Sequence, residues 1–81
     1  MSLERAAMRG KLAEAESKQA RLEMRIESAA RALRQGLNTT LYTVEALEIP
    51  QLDEQWDILK SAWAEYIRLE GDISRLKREL N

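Results

Sequence analysis

The chain has 81 residues, 44% hydrophobic and 33% charged, with 13 Lys/Arg against 14 Asp/Glu and a formal net charge of −1. That length allows one small domain, and a single proline, three glycines and no phenylalanine count against an all-β fold rich in tight turns. The lack of cysteine and histidine excludes disulfides, thiolate metal sites, cysteine nucleophiles and imidazole-based catalysis.

The chain opens MSLERAAMRGKL, where charge comes too early and too often for a secretory signal. No apolar run reaches the roughly 20 residues of a bilayer span. A cytoplasmic protein with no membrane role is the expectation. From about residue 3 to 35 the pattern is helical. Leu12, Gln19, Ile26 and Leu33 recur every seven residues, and Met8, Ala15, Leu22 and Ala29 form the offset column, the a and d positions of a coiled coil. This stripe spans roughly 100° of the helix, enough for one neighbouring seam. The acid-first pairs Glu14–Lys18 and Glu27–Arg31 add about 0.3 kcal/mol each.

The first helix is expected to stop near Gln35. Arg31 and Arg34 suit its negative dipole end, Gly36 can take the left-handed residue that follows a helix, and Leu37 can fold back on the last turn. The connector, residues 36–49, exceeds the usual helix–helix link of about 2–8 residues. Leu37, Leu41, Val44 and Leu47 keep helical spacing there, so either a short helix occupies it or the first helix runs on to about Leu47. The combined penalty of Gly36, Asn38 and three threonines favours a break.

Pro50 marks the next start, a residue welcome at the first helical position, with Ile49 before it pushed away from helical angles. A second helix then runs over about 50–80, with Leu52, Leu59, Tyr66, Ile73 and Leu80 repeating every seven residues through an isolated Gly71. Trp56, Trp63 and Ile67 flank this column on one side, and Ile58, Leu69 and Leu76 on the other. Together they cover roughly 180° of the helix, more than one antiparallel partner can hide.

These elements predict an all-α fold: an antiparallel, coiled-coil-like two-helix hairpin in a single domain. Residues 1–36 carry +3 and residues 37–81 carry −4, which favours folding back. A lone hairpin is a poor core for a chain of this size. A second copy packed through the second helix would complete a four-helix bundle, with a predicted interface of Trp56, Leu59, Trp63, Tyr66, Ile67 and Ile73. A rival geometry, a parallel homodimer of the first helix, would pair Lys11 with Glu16 and Lys18 with Glu23, with Gln19 setting the register. Alanines at two of its d positions weaken that reading.

No catalytic, cofactor or metal site is expected. Glu45, Glu48, Asp53, Glu54 and Asp57 cluster around the second helix start, where solvated acids serve the dipole, and they lack calcium-loop spacing. The serines have no histidine, and the glycines are isolated rather than gathered in a phosphate loop. Two function classes remain. The first is a non-enzymatic protein–protein interaction module that self-associates and is compatible with a larger protein partner. The second is a small nucleic-acid-associated factor using Arg5, Arg9, Arg21, Arg25, Arg31 and Arg34. Nucleic acid is disfavoured by the glutamates among those arginines and by the absence of an aromatic for base stacking.

The stretch VEALEIPQLDEQWDILK, with the closing GDISRLKREL, resembles as a pattern small uncharacterised helical-hairpin proteins of Mu-like phages and prophages. The shared features are a Leu/Ile-rich joint before the second helix and a closing heptad of acidic-then-basic charge, across roughly the C-terminal half. The resemblance implies a phage or prophage setting and transfers no functional residue. The missing tryptophan–x–glycine turn separates the chain from secreted hairpins of the WXG type.

Overall fold

The computed structural model describes residues 2–81. Two helices, α1 (Leu3–Gly36) and α2 (Ile49–Leu80), lie against each other as a hairpin, and the described residues form no strand. The Cα trace is a rod of 64 × 16 × 15 Å.

Ser2 caps α1, its hydroxyl accepting the Arg5 N–H at 3.2 Å and so satisfying one of the free donors of the first turn. The helix continues to Gly36, and Leu37 caps it at φ −96°, ψ 6° with its N–H on the Leu33 carbonyl at 3.0 Å. This corrects the left-handed role expected for Gly36, since no described residue has a positive φ. Gly36 is required for a different reason. A Cβ there would collide with the isopropyl head of Leu52, so the missing side chain lets α2 approach the end of α1.

The connector is ordered by its own polar groups rather than by packing. The Asn38 side-chain oxygen accepts both the Thr40 N–H at 3.0 Å and the Thr40 hydroxyl at 2.5 Å, and the Asn38 carbonyl accepts the Leu41 and Tyr42 N–H groups at 3.1 Å. Asparagine suits such turns because its side chain mimics a backbone acceptor. One turn of 3₁₀ helix follows at Val44–Ala46, the short helix anticipated as one alternative. α2 starts at Ile49, one residue before Pro50, so Ile49 is helical after all. Pro50 still falls in the first turn, where a missing N–H deprives nothing of a partner.

The seam joins the a and d columns of both helices. Leu22 and Ala29 of α1 are buried, as are Ala62, Leu69, Ile73 and Leu76 of α2. Gly36 against Leu52 sets the register. Stepping by heptads from that pair sets Ala29 across from Leu59, Leu22 across from Tyr66 and Ala15 across from Ile73, with Ile26 facing Ala62 in an intervening layer. The cluster of Leu22, Ala62 and Leu69, with Ala15, Ile26 and Tyr66 packed on it, follows this order. Small residues repeatedly oppose large ones, which lets two helices close without voids. Among the described residues the most buried is an alanine, Ala29 at 2% exposure, and Ala62 follows at 4% together with Ile73.

Candidate functional site

The a/d seam fixes where every other column points. Trp56 and Trp63 sit four residues beyond Leu52 and Leu59, at the e position, and Ile67 sits beside them at b. The seam cannot cover them. Trp56 is 48% exposed, Trp63 56% and Ile67 47%. Ile49, also at e, is exposed and begins the same stripe, which therefore runs from Ile49 to Ile67, about 27 Å at 1.5 Å per residue. In an antiparallel pair the e columns of both helices share a flank, so Ala30 and Leu37 of α1 border this stripe.

The residues expected to form an interface thus divide into two groups. Trp56, Trp63 and Ile67 lie exposed on the flank. Leu59, Tyr66 and Ile73 lie in the seam facing α1, with Ile73 buried. On the opposite side of α2, Leu69 and Leu76 are buried and Ile58 is half-buried. The wide arc read from the sequence is therefore half seam and half free surface.

Charges punctuate the free half. The Lys60 ammonium lies 5.8 Å from the centroid of the Trp56 ring and 3.3 Å from an Asp57 carboxylate oxygen. Such an exposed cation–π contact contributes roughly 0.5–1 kcal/mol. Towards the open end the stripe turns polar. Gln19 donates to Glu70 at 2.5 Å and Lys77 lies 3.8 Å from Glu16. Gln19, the polar residue of the a column, thus reaches out of the seam to the neighbouring helix.

The other flank is closed by charge. The Lys18 ammonium meets the Glu65 carboxylate at 2.6 Å, with Arg68 at 3.5 Å on the same oxygen. The hydrogen bond from Lys18 holds the Glu65 carboxyl below the usual glutamate range. Partial desolvation opposes this, and the charges of Lys18, Arg68 and Arg25 reinforce it. Lys18 and Glu16 are thereby engaged across the hairpin, in place of the contacts with Glu23 and Lys11 that a parallel homodimer of α1 would use.

The six arginines of α1 occupy six different heptad positions, and two of them donate hydrogen bonds within the hairpin. Arg5 donates to the Leu80 carbonyl at 2.6 Å, tying the open end, and Arg21 donates to the Ser17 hydroxyl at 3.0 Å. No single face gathers them into the stripe that phosphate recognition uses. Among the described residues, no group of three or more acidic side chains is arranged to hold a metal ion. No described helix is long and apolar enough to cross a membrane. Compared with known protein families, curated proteins and solved structures, the chain finds no match.

Proposed function

We propose that this hairpin is a non-enzymatic assembly module that works by helix–helix packing and that pairs with a second copy through the Trp56–Trp63–Ile67 flank. The observation that carries the reading is the exposure of both indoles on one face of a hairpin whose buried side chains, among the described residues, are all apolar. With 48% of Trp56 and 56% of Trp63 exposed, and roughly 250 Å² for a tryptophan side chain, about 130 Å² of indole per residue remains in water. A two-fold dimer would remove this four times over, roughly 500 Å², about a third of a standard interface of ~1,600 Å². At ~25 cal/mol/Å² the gross gain is ~12 kcal/mol, within the ~4–15 kcal/mol that association consumes. The indoles are therefore the anchors but not the whole contact, and Ile49, Ile67, Ala30 and Leu37 supply the surrounding area.

Two-fold packing of these flanks completes a four-helix bundle with neighbouring helices about 20° apart. It also brings each Lys60 towards Glu23 and Glu27, the acids on the same flank of α1 in the other copy, which relieves the approach of two lysines near the axis. A phage or prophage setting belongs to the proposal on the sequence resemblance alone, and a cytoplasmic one on the early charges of the N-terminal stretch. Sedimentation equilibrium on the wild type and Trp63→Glu tests the pairing. The expected result is a wild-type dimer at micromolar concentration and a variant monomer that keeps its helicity. A wild type that stays monomeric over that range would end the proposal.

A further inference from the structure

The closed end of the hairpin presents a second, separate apolar surface. Leu41 is 71% and Val44 73% exposed, and Tyr42 between them is exposed too. Connectors are normally polar where they face water, and this one is apolar where its backbone is most firmly held. Asn38, Thr40 and the 3₁₀ turn fix the main chain through local hydrogen bonds while the side chains point out of the fold. A surface ordered before it is covered loses less freedom when a partner arrives.

Beneath the connector lies an open groove of about 540 Å³, with Gly36 and Leu52 in its floor, Tyr42 and Ala46 on the connector side, and Glu48 and Glu54 at its rim. Charge then selects the occupant. From Leu37 to Lys60 the chain carries five carboxylates and one cation, the Lys60 paired with Asp57, and even with Arg31 and Arg34 of the adjoining turns this end remains at −2. Glu45, Glu48, Asp53 and Glu54 have no ion-pair partner among the described residues. An acidic cap of this kind repels a second identical cap and an anionic lipid surface alike.

We propose that the closed end docks an amphipathic segment of a different protein, one whose apolar anchors sit on Leu41, Tyr42 and Val44 and whose lysines or arginines meet Glu45, Glu48 and Glu54. The recognition is helix- or strand-sized, with apolar contact giving affinity and the acidic rim giving specificity and salt dependence. Its anchors differ from those of the tryptophan flank, which reaches this end of the rod only through Leu37 and Ile49.

The probe is a fluorescently labelled synthetic amphipathic peptide of leucine and lysine, with a leucine–glutamate peptide of the same pattern as control. Binding is followed by anisotropy, and its location by amide chemical shifts. The expected result is saturable binding of the lysine peptide with shifts confined to residues 37–54. Affinity should fall about tenfold or more in L41S/V44S, since two apolar anchors are lost. It should fall several-fold in E45Q/E48Q and with added salt. All four substituted residues are exposed, so the helices should persist, and far-UV circular dichroism verifies that. No saturable binding, equal binding of the glutamate peptide, shifts centred on Trp56 and Trp63, or unchanged affinity in both variants would each overturn the proposal. Loss of self-association in L41S/V44S would make the occupant a second copy and overturn it too.

Discussion

Replacing Gly36 by alanine separates two explanations of one glycine. If Gly36 served as a left-handed cap, alanine would lose about 1 kcal/mol, asparagine would be tolerated, and Leu52 would be irrelevant. The structure makes Gly36 helical and places its missing Cβ against Leu52, with nearby Cγ and Cδ1 atoms at 3.3 and 3.4 Å from the ideal Cβ position. Alanine would gain at most ~1 kcal/mol of helix propensity at this terminal position. It would also force Leu52 out of its rotamer or push α2 away, an overpacking penalty of ~1–3 kcal/mol. The expected net change is a destabilisation of about 1–2 kcal/mol, with asparagine worse than alanine. Shortening Leu52 to alanine makes room for the new methyl group, so the double variant G36A/L52A should be more stable than the sum of the single changes by about 1 kcal/mol or more. Gly10 and Gly71 provide controls, because nothing lies within 4 Å of a Cβ at either. Gly71→Ala, in a helix interior, should stabilise by up to ~1 kcal/mol.

The measurement is urea denaturation followed by far-UV circular dichroism, at one fixed protein concentration because self-association would add to the apparent stability. Additive effects of G36A and L52A, or an asparagine variant as stable as wild type, would refute the steric account. A destabilising G71A would refute the propensity term on which the comparison rests.

Leu69, 6% exposed in the central cluster, should cost about 2–4 kcal/mol when cut to alanine, a large part of the ~3–5 kcal/mol that a core of this size supplies. Melting of L69A over a concentration series should therefore show a large drop in Tm that partly recovers as the protein is concentrated, and an unchanged Tm would contradict the assigned seam. Glu65 titrates below the ordinary glutamate range because Lys18 donates to it. Its contribution to stability is present above the unfolded-state pKa and is lost as pH falls through the depressed folded value. Side-chain NMR titration should show the Glu65 carboxyl moving up in Lys18→Met, and identical titrations in the two proteins would remove the cross-helix pair as the cause.

What could be read from residue order was what depends on a single helix. The a and d columns of α1, the break after Gly36 and the start near Pro50 rest on periodicity and on glycine and proline chemistry, which act within a few residues. Properties that depend on the distance between the helices were not legible. Glu14 is the favourable i,i+4 partner of Lys18, yet Lys18 reaches Glu65, 47 positions away, because the hairpin register brings a carboxylate closer. Ala62 escaped notice beside Trp63 for a related reason. Counting apolar bulk along α2 draws attention to the tryptophan and passes over the small neighbour that the seam takes. The six residues expected to share one interface divide between seam and flank on the same ground, since a step of one residue moves a side chain from d to e or from a to b.

That choice of the small neighbour links packing to function. With Ala15, Ala29 and Gly36 on α1 and Ala62 on α2, the helices approach at the points where a coiled coil would otherwise hold leucines. An indole at d would need the space that this approach removes, so a register that buried Trp63 would separate the helices and expose Leu69, Ile73 and Leu76 in exchange. The hairpin therefore gains a tight seam by excluding its two largest side chains, and both leave it on the same side because they are seven residues apart. Widening the seam tests this coupling in the converse direction. Ala29→Leu, across from Leu59, should spread the helices at the level of the tryptophans, blue-shift their fluorescence as they settle into the gap, and weaken self-association. Unchanged fluorescence with a stable, dimeric A29L protein would show that seam width and indole exposure are independent.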